Sequence, residues 1–360
     1  MVRYTASESG LIPTFNDEYV DFTVKEENNG DGTYTISVIT NNVDHLPTKI
    51  SFNEKSNLLT VEKFNAKNTS NVTSMQGMFY NCTALTSLDI SGFDTSNVDN
   101  MTNMFGGCRA LTSLDLSGFD TSKVTTMSNM FNGCTNLISL DLSGWNTSNI
   151  TNMESMIRGC KNLTSLNLSG FNTSKVVTLG SMFRECTNLT SLDLTGWDTS
   201  NVTAIGSMFS GCINLTSLDL SGWNTSKVAN TSSMFNNCAN LTSLDLSGWN
   251  TSKVANMSNM FSNCKNLTSL DISGFDTSKV TNMSNMFANC SSLTSLESMM
   301  NISADLSLPS TLNVDSILDV VDNLATVITT KTLTISATQL SWVPEDKITE
   351  ANNKGWTISA

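Results

Sequence analysis

Cysteine stands at positions 82, 108, 134, 160, 186, 212, 238, 264 and 290, so one residue type returns every 26 positions. The stretch LTSLDLSGWNTSKVANMSNMFSNC, Leu241 to Cys264, is one copy of the surrounding phrase, and eight full copies run from Leu85–Cys108 to Leu267–Cys290. An internal period of roughly 20–50 residues marks an array of stacked units. A single unit cannot bury its own apolar face, so neighbours must cover one another and like residues come to lie over like.

Within a copy the apolar positions follow two periods. Leu241, Leu244 and Leu246 read L-x-x-L-x-L, with the alternation of a short strand. Val254, Met257, Met260, Phe261 and Cys264 fall at offsets 0, 3, 6, 7 and 10, which predicts one face of a helix. SGWNTS between them supplies a glycine and oxygen-bearing side chains suited to a turn and a helix cap. The expected fold class is therefore an α/β solenoid of the leucine-rich-repeat type, with parallel strands on one face and short helices on the other. Burying each Leu or Phe is worth roughly 1.5–3 kcal/mol before entropy, so the apolar letters read first as core.

The ends follow other rules. Residues 1–67 read as a β-rich N-terminal domain or cap, with two strands around a turn at Asn28–Gly32 and a second hairpin in KISFNEKSNLLTVEKF. Residues 68–297 form the solenoid. Residues 298–360 read as irregular capping repeats: NVDSILDVVDNLA helical, TKTLTISATQL a strand, PEDKITEANNKG helical and WTIS a last strand, with Ile335 and Ile358 spaced by 23 residues.

The phrase LTSLDLSGFDTSKVTNMSNMF followed by Cys resembles the repeats of BspA-like leucine-rich-repeat surface proteins of bacteria, over about residues 68–297. The resemblance implies a parallel-strand solenoid and a role in adhesion or recognition, without catalysis.

Composition narrows the function further. The net charge is −13 and Lys plus Arg total only 19, scattered along the chain, which argues against nucleic acid as a partner. No run of about 18 apolar residues predicts a transmembrane segment, and the opening MVRYTASESGLIPTF shows no signal-peptide core. The single histidine, His45, lies outside the repeats, and no nucleophile elbow, phosphate loop or dinucleotide fingerprint is present. The expectation is a protein that is not an enzyme. The evenly spaced cysteines lack the clustering of metal or disulfide frameworks and read as buried free thiols.

Two rows of side chains are candidates for binding. On the strand face Ser87 and its equivalents are all serine, and Asp89, Asp115, Asp141, Asn167, Asp193, Asp219, Asp245 and Asp271 alternate with buried leucines and so point outward. Stacked about 4.8 Å apart, these carboxylates repel, and solvent screening, raised pKa values or a bound cation such as Ca²⁺ must offset that. No other cofactor or metal is called for. The second row is aromatic, with Trp145, Trp197, Trp223 and Trp249 among phenylalanines, and reads as core or as a sugar-stacking ridge. A further row, from Asp94 to Asp276, precedes Thr-Ser in each copy and is suited to satisfying turn and helix-start N–H groups.

The expected function is non-enzymatic recognition or adhesion: a repetitive acidic strand face offered to a host or bacterial surface protein or glycan, outside the cell or on its surface. The alternative is a structural or receptor-binding component of a bacteriophage virion or appendage.

Overall fold

The computed structural model describes residues 2–7, 14–15, 22–29, 33–40, 50–51, 57–64 and 69–360. The chain divides into two compact units, Met1–Val176 with Cys186–Asn188, and Val177–Glu185 with Leu189–Ala360. Each is built as a parallel-strand solenoid with few helices.

The first unit opens on an antiparallel sheet of β3 (Phe22–Asn28), β4 (Tyr34–Thr40), β1 (Val2–Ala6) and β6 (Leu58–Phe64), in that spatial order. The expected first hairpin is present as the β3–β4 pair, while residues 30–32 of its turn, like His45, lie outside the described residues. Among the described residues the two strands of the expected second hairpin do not pair with each other. β5 (Ile50–Ser51) pairs instead with β2 (Thr14–Phe15), and β6 pairs with β1 on one side. On its other side β6 runs parallel to β7 (Ser87–Leu88), Val61 opposite Leu88, so it serves as the rung on which the repeats begin.

From there the repeats stack in strict register. In the first unit β8 (Ser139–Asp141) lies parallel to β9 (Ser165–Asn167), with Leu140 opposite Leu166. In the second, β10 (Ser217–Asp219) pairs β11 (Ser243–Asp245), and β12 (Ser269–Asp271) pairs β13 (Ser295–Glu297), again leucine opposite leucine. A second line of parallel bridges follows the other side of the rungs, Ser74–Asn100–Thr126–Asn152 in one unit and Thr178 through Asn282 in the other.

The helices expected in each copy are absent, and the segment is a ladder of tight turns. The N–H groups of Met101, Asn103, Phe105 and Gly107 donate to the carbonyls of Thr126, Ser128, Met130 and Asn132 at 3.1, 2.9, 2.9 and 2.7 Å. The intervening Met104 and Gly106 donate three residues back, to Met101 and Asn103. Alternate amides thus bind the neighbouring rung, which an α-helix, committing its N–H groups to its own axis, cannot do. The geometry puts a left-handed residue at two positions of each copy, four apart: φ is 56° at Asn103 and 77° at Gly107. Asn and Gly tolerate that region, which costs other residues roughly 1–2 kcal/mol.

Both segments point their apolar side chains inward. Val98, Met101, Met104, Phe105 and Cys108 are all fully buried. Phe79, Phe105 and Phe131 stack with centroids 5.6–5.8 Å apart, and Phe183, Phe209, Phe235, Phe261 and Phe287 form the matching column of the second unit.

At the C-terminal end lie α1 (Val314–Asp322), α2 (Ala337–Leu340) and α3 (Glu345–Asn353), with β14 (Leu306–Ser307), β15 (Lys331–Thr334) and β16 (Trp356–Ser359) in one parallel sheet. Asn313 caps α1 by accepting the Ser316 N–H, and Ser336 with Gln339 forms a capping box on α2. The expected 23-residue spacing is not the register used: Ile358 lies opposite Leu333, not Ile335. Among the described residues no helix is long and apolar enough to cross a membrane.

Candidate recognition face

The three-residue strands alternate an inward leucine with outward polar neighbours; in β10, Ser217 and Asp219 are exposed around buried Leu218. Ser87 and every member of the acid row, Asp89 through Asp271 with Asn167, are exposed.

The aspartates are not loose surface charges. Asp115 Oδ1 accepts the backbone N–H of Ser117 at 3.0 Å and its hydroxyl at 2.7 Å. The same pair of bonds holds Asp89, Asp193, Asp219 and Asp271 against the residue two positions on. Each acid therefore closes an Asx turn where the strand ends, with one carboxylate oxygen committed inward. These bonds favour the ionised form and hold Asp115, Asp141, Asp193 and Asp219 below the usual carboxylate range. Raised pKa values are thus not how those four acids tolerate their neighbours; exposure to solvent screens them. Asn167 breaks the row in charge and not in geometry, because its Oδ1 accepts the Ser169 N–H at 3.1 Å. Among the described residues no three His, Cys, Asp or Glu side chains gather in a way that could hold a metal ion.

The other rows sort clearly. Trp145, Trp197, Trp223 and Trp249 are only 3–6% exposed, so they offer no ridge for a sugar. Two of the indoles are tied into the core by hydrogen bonds: Nε1 of Trp145 and Trp249 donates to the carbonyls of Leu116 and Leu220. The Asx row closes turns as expected, Ser96 N–H to Asp94 Oδ1 at 3.0 Å and Ser252 N–H to Asn250 Oδ1 at 3.1 Å, but no helix starts there. All nine cysteines are free and buried. The eight thiols from Cys108 to Cys290 donate to the phenylalanine or isoleucine carbonyl of the preceding copy, as Cys134 does to Phe105 at 3.1 Å, and burial pushes Cys134 up to about 12. Such thiols are poor nucleophiles and metal ligands.

One ladder was missed by sequence reasoning. Thr95, Thr121, Thr147, Thr173, Thr199, Thr225, Thr251 and Thr277 are buried polar side chains, and the hydroxyls of Thr95, Thr147 and Thr225 each bridge both backbone polar groups of one residue in the next rung. The signal was present: threonine follows the Asx in all eight copies without exception.

Several known proteins are similar to this chain. A family described as "Mycoplasma protein of unknown function, DUF285" matches residues 48–141, 127–243 and 213–313. A solved structure described as "Functional domain of InlJ from Listeria monocytogenes includes a cysteine ladder" is 16% identical, over 83% of this chain and 76% of its own, with a TM-score of 0.23. Another, described as "Crystal structure of TLR13-ssRNA13 complex", is 13% identical over 87% of this chain and 66% of its own, with a TM-score of 0.18. No curated protein matches the chain.

Proposed function

This chain belongs to the DUF285 family, and from that premise we propose that it is a non-enzymatic recognition or adhesion protein. Its working surface is the Thr-Ser-Asp strand face, and its partner is a protein or glycan of a host or bacterial surface. The likeness of its Met-Phe…Cys copies to BspA-like surface proteins, and a place outside the cell, belong to the same proposal.

The observation that carries the reading is the fixed orientation of the aspartates. A carboxylate held by two local hydrogen bonds loses little side-chain freedom on binding, so its remaining oxygen is preorganised for a donor. Serine and threonine hydroxyls flank it in copy after copy, which suits a ligand that itself repeats.

Binding of the full chain to glycan arrays and to intact host and bacterial cells tests the reading. The expected result is a ligand that is lost when Asp193→Asn, Asp219→Asn and Asp245→Asn are combined, since asparagine keeps the turn, as Asn167 does, and removes the charge. A wild-type chain that binds nothing, or a triple variant that binds equally well, overturns it.

A further inference from the structure

The turn ladder leaves one backbone edge uncovered in the last copy and another in the first. In the second unit the N–H groups of Asn259, Phe261 and Asn263 donate to the carbonyls of Ser284, Met286 and Ala288 at 2.9, 2.9 and 2.7 Å. The last copy repeats this backbone, with left-handed Asn285 and Asn289 at φ of 56° and 59°. Its N–H groups at Asn285, Phe287 and Asn289 therefore point the same way along the stack. No further ladder follows, because the chain goes on into β14 and α1. Among the described residues nothing accepts from these three N–H groups. All three residues line a groove of about 320 Å³, whose far wall is 307–311.

The first copy carries the reciprocal edge. Gly77, Phe79 and Asn81 donate to the carbonyls of Thr102, Met104 and Gly106 in the next copy. The carbonyls of Gln76, Met78 and Tyr80, the equivalents of Ser284, Met286 and Ala288, are directed the other way. Among the described residues nothing donates to them. One edge thus offers three donors and the other three acceptors, in the pattern that already joins consecutive copies. The rings behind both edges are buried, Phe79 at 0% and Phe287 at 2% exposure, so backbone polarity is what each edge leaves open. Native proteins guard open edges with charge, lysine above all. Positions 74–82, 280–291 and 307–311 hold no charged residue, in a chain of net charge −13.

We propose that the partner of this edge is a second copy of the chain. The carbonyls of Gln76, Met78 and Tyr80 of one molecule take the N–H groups of Asn285, Phe287 and Asn289 of another, and so supply the rung that the last copy lacks. Because the two edges differ, the contact is heterologous: each addition leaves a donor edge and an acceptor edge open, and the product is an open-ended chain of molecules. The edges lie apart from the acidic strand face, so either surface can fail without the other.

Sedimentation of the full chain over a concentration series, with hydrogen exchange on the same samples, tests this. In dilute samples the amides of Asn285, Phe287 and Asn289 exchange freely, while those of Asn259, Phe261 and Asn263 are protected. As concentration rises the first three gain protection and species grow beyond a dimer. Added salt strengthens association, because it screens the net negative charge that the copies share. Replacing Phe287 by phenyllactate exchanges its N–H for an ester oxygen and weakens association about fivefold, the worth of one hydrogen bond. It lowers the denaturation midpoint less than the same replacement at Phe261, whose N–H is bonded within the chain. Gln76→Lys sets a charge on the acceptor edge and stops growth. The proposal is overturned if the chain stays monomeric throughout or if assembly stops at a dimer. It is equally overturned if the three amides are protected in dilute samples, if they stay unprotected in assembled ones, or if either replacement leaves association as it was.

Discussion

The hydroxyl of Thr225 accepts the backbone N–H of Asn250 at 2.7 Å and donates to the carbonyl of the same residue at 3.0 Å. One side chain, itself 2% exposed, thus satisfies both polar groups of a backbone unit in the next rung. Thr225→Val keeps the shape and removes both bonds, leaving a donor and an acceptor without partners. It is expected to lower stability by about 2 kcal/mol, while Thr225→Ser, which keeps the hydroxyl, costs clearly less. Urea denaturation of the two variants checks this, and equal losses would show that the methyl packing and not the hydroxyl matters.

The tryptophans of the inner row are not equivalent. Trp249 Nε1 donates to Leu220 at 3.2 Å, whereas Trp223 Nε1 is buried with no hydrogen-bond partner. Replacing either by phenylalanine removes similar volume, but only Trp249→Phe breaks a bond. Trp223→Phe is therefore expected to be less destabilising than Trp249→Phe by about 1 kcal/mol, measured as a difference in thermal or urea midpoints.

Glu185 occupies a left-handed position, with φ of 61°, where its counterparts Gly159 and Gly211 are glycine. Its ion pair with Arg184 joins two partly exposed side chains and contributes little. Glu185→Asn places a residue suited to this backbone, as Asn237 and Asn263 are in later copies. It is expected to raise stability by about 0.5–1 kcal/mol, and a lowered melting temperature would argue against local strain at this turn.

The strand-face acids make stability depend on pH in one direction. Hydrogen bonds from residues 117, 143, 195 and 221 hold Asp115, Asp141, Asp193 and Asp219 below the ordinary value. A carboxylate with a lowered folded-state pKa stabilises the fold at pH above its unfolded value of about 3.9, and that contribution disappears as pH falls through the folded value. Urea midpoints should accordingly be flat between about pH 5 and 7 and fall below about pH 4. The combined variant Asp115→Asn, Asp193→Asn and Asp219→Asn should fall less steeply there; an unchanged slope would mean the turns are closed equally well by neutral acids.

Much of this architecture was legible because the copies are nearly identical. Leu218 had to meet Leu244 and Phe209 had to meet Phe235 once the units were stacked in register, and the outward direction of Asp219 followed from the strand alternation. What misled was the spacing of Val98, Met101, Met104, Phe105 and Cys108. Offsets of 3, 3, 1 and 3 fit one face of an α-helix and fit a ladder of tight turns equally well. The discriminating letters were Asn103 and Gly107, four residues apart, which read as ordinary polar helix positions until a left-handed backbone gave them a purpose.

By itself, then, the sequence determined the period, the register, the identity of the core columns and the polar character of the strand face, since those depend on which residues recur and on nothing beyond the repeat. Tertiary structure decided the rest. Whether the Met101 amide bonds along its own segment or across to Thr126 is a choice between a local and a long-range partner, 25 residues away. Only the neighbouring rung, once in place, offers the second. The same holds for Trp249, whose indole finds its acceptor on Leu220 of the copy before it, and for Thr225, whose hydroxyl is useful only because the next rung presents both an N–H and a carbonyl within its reach.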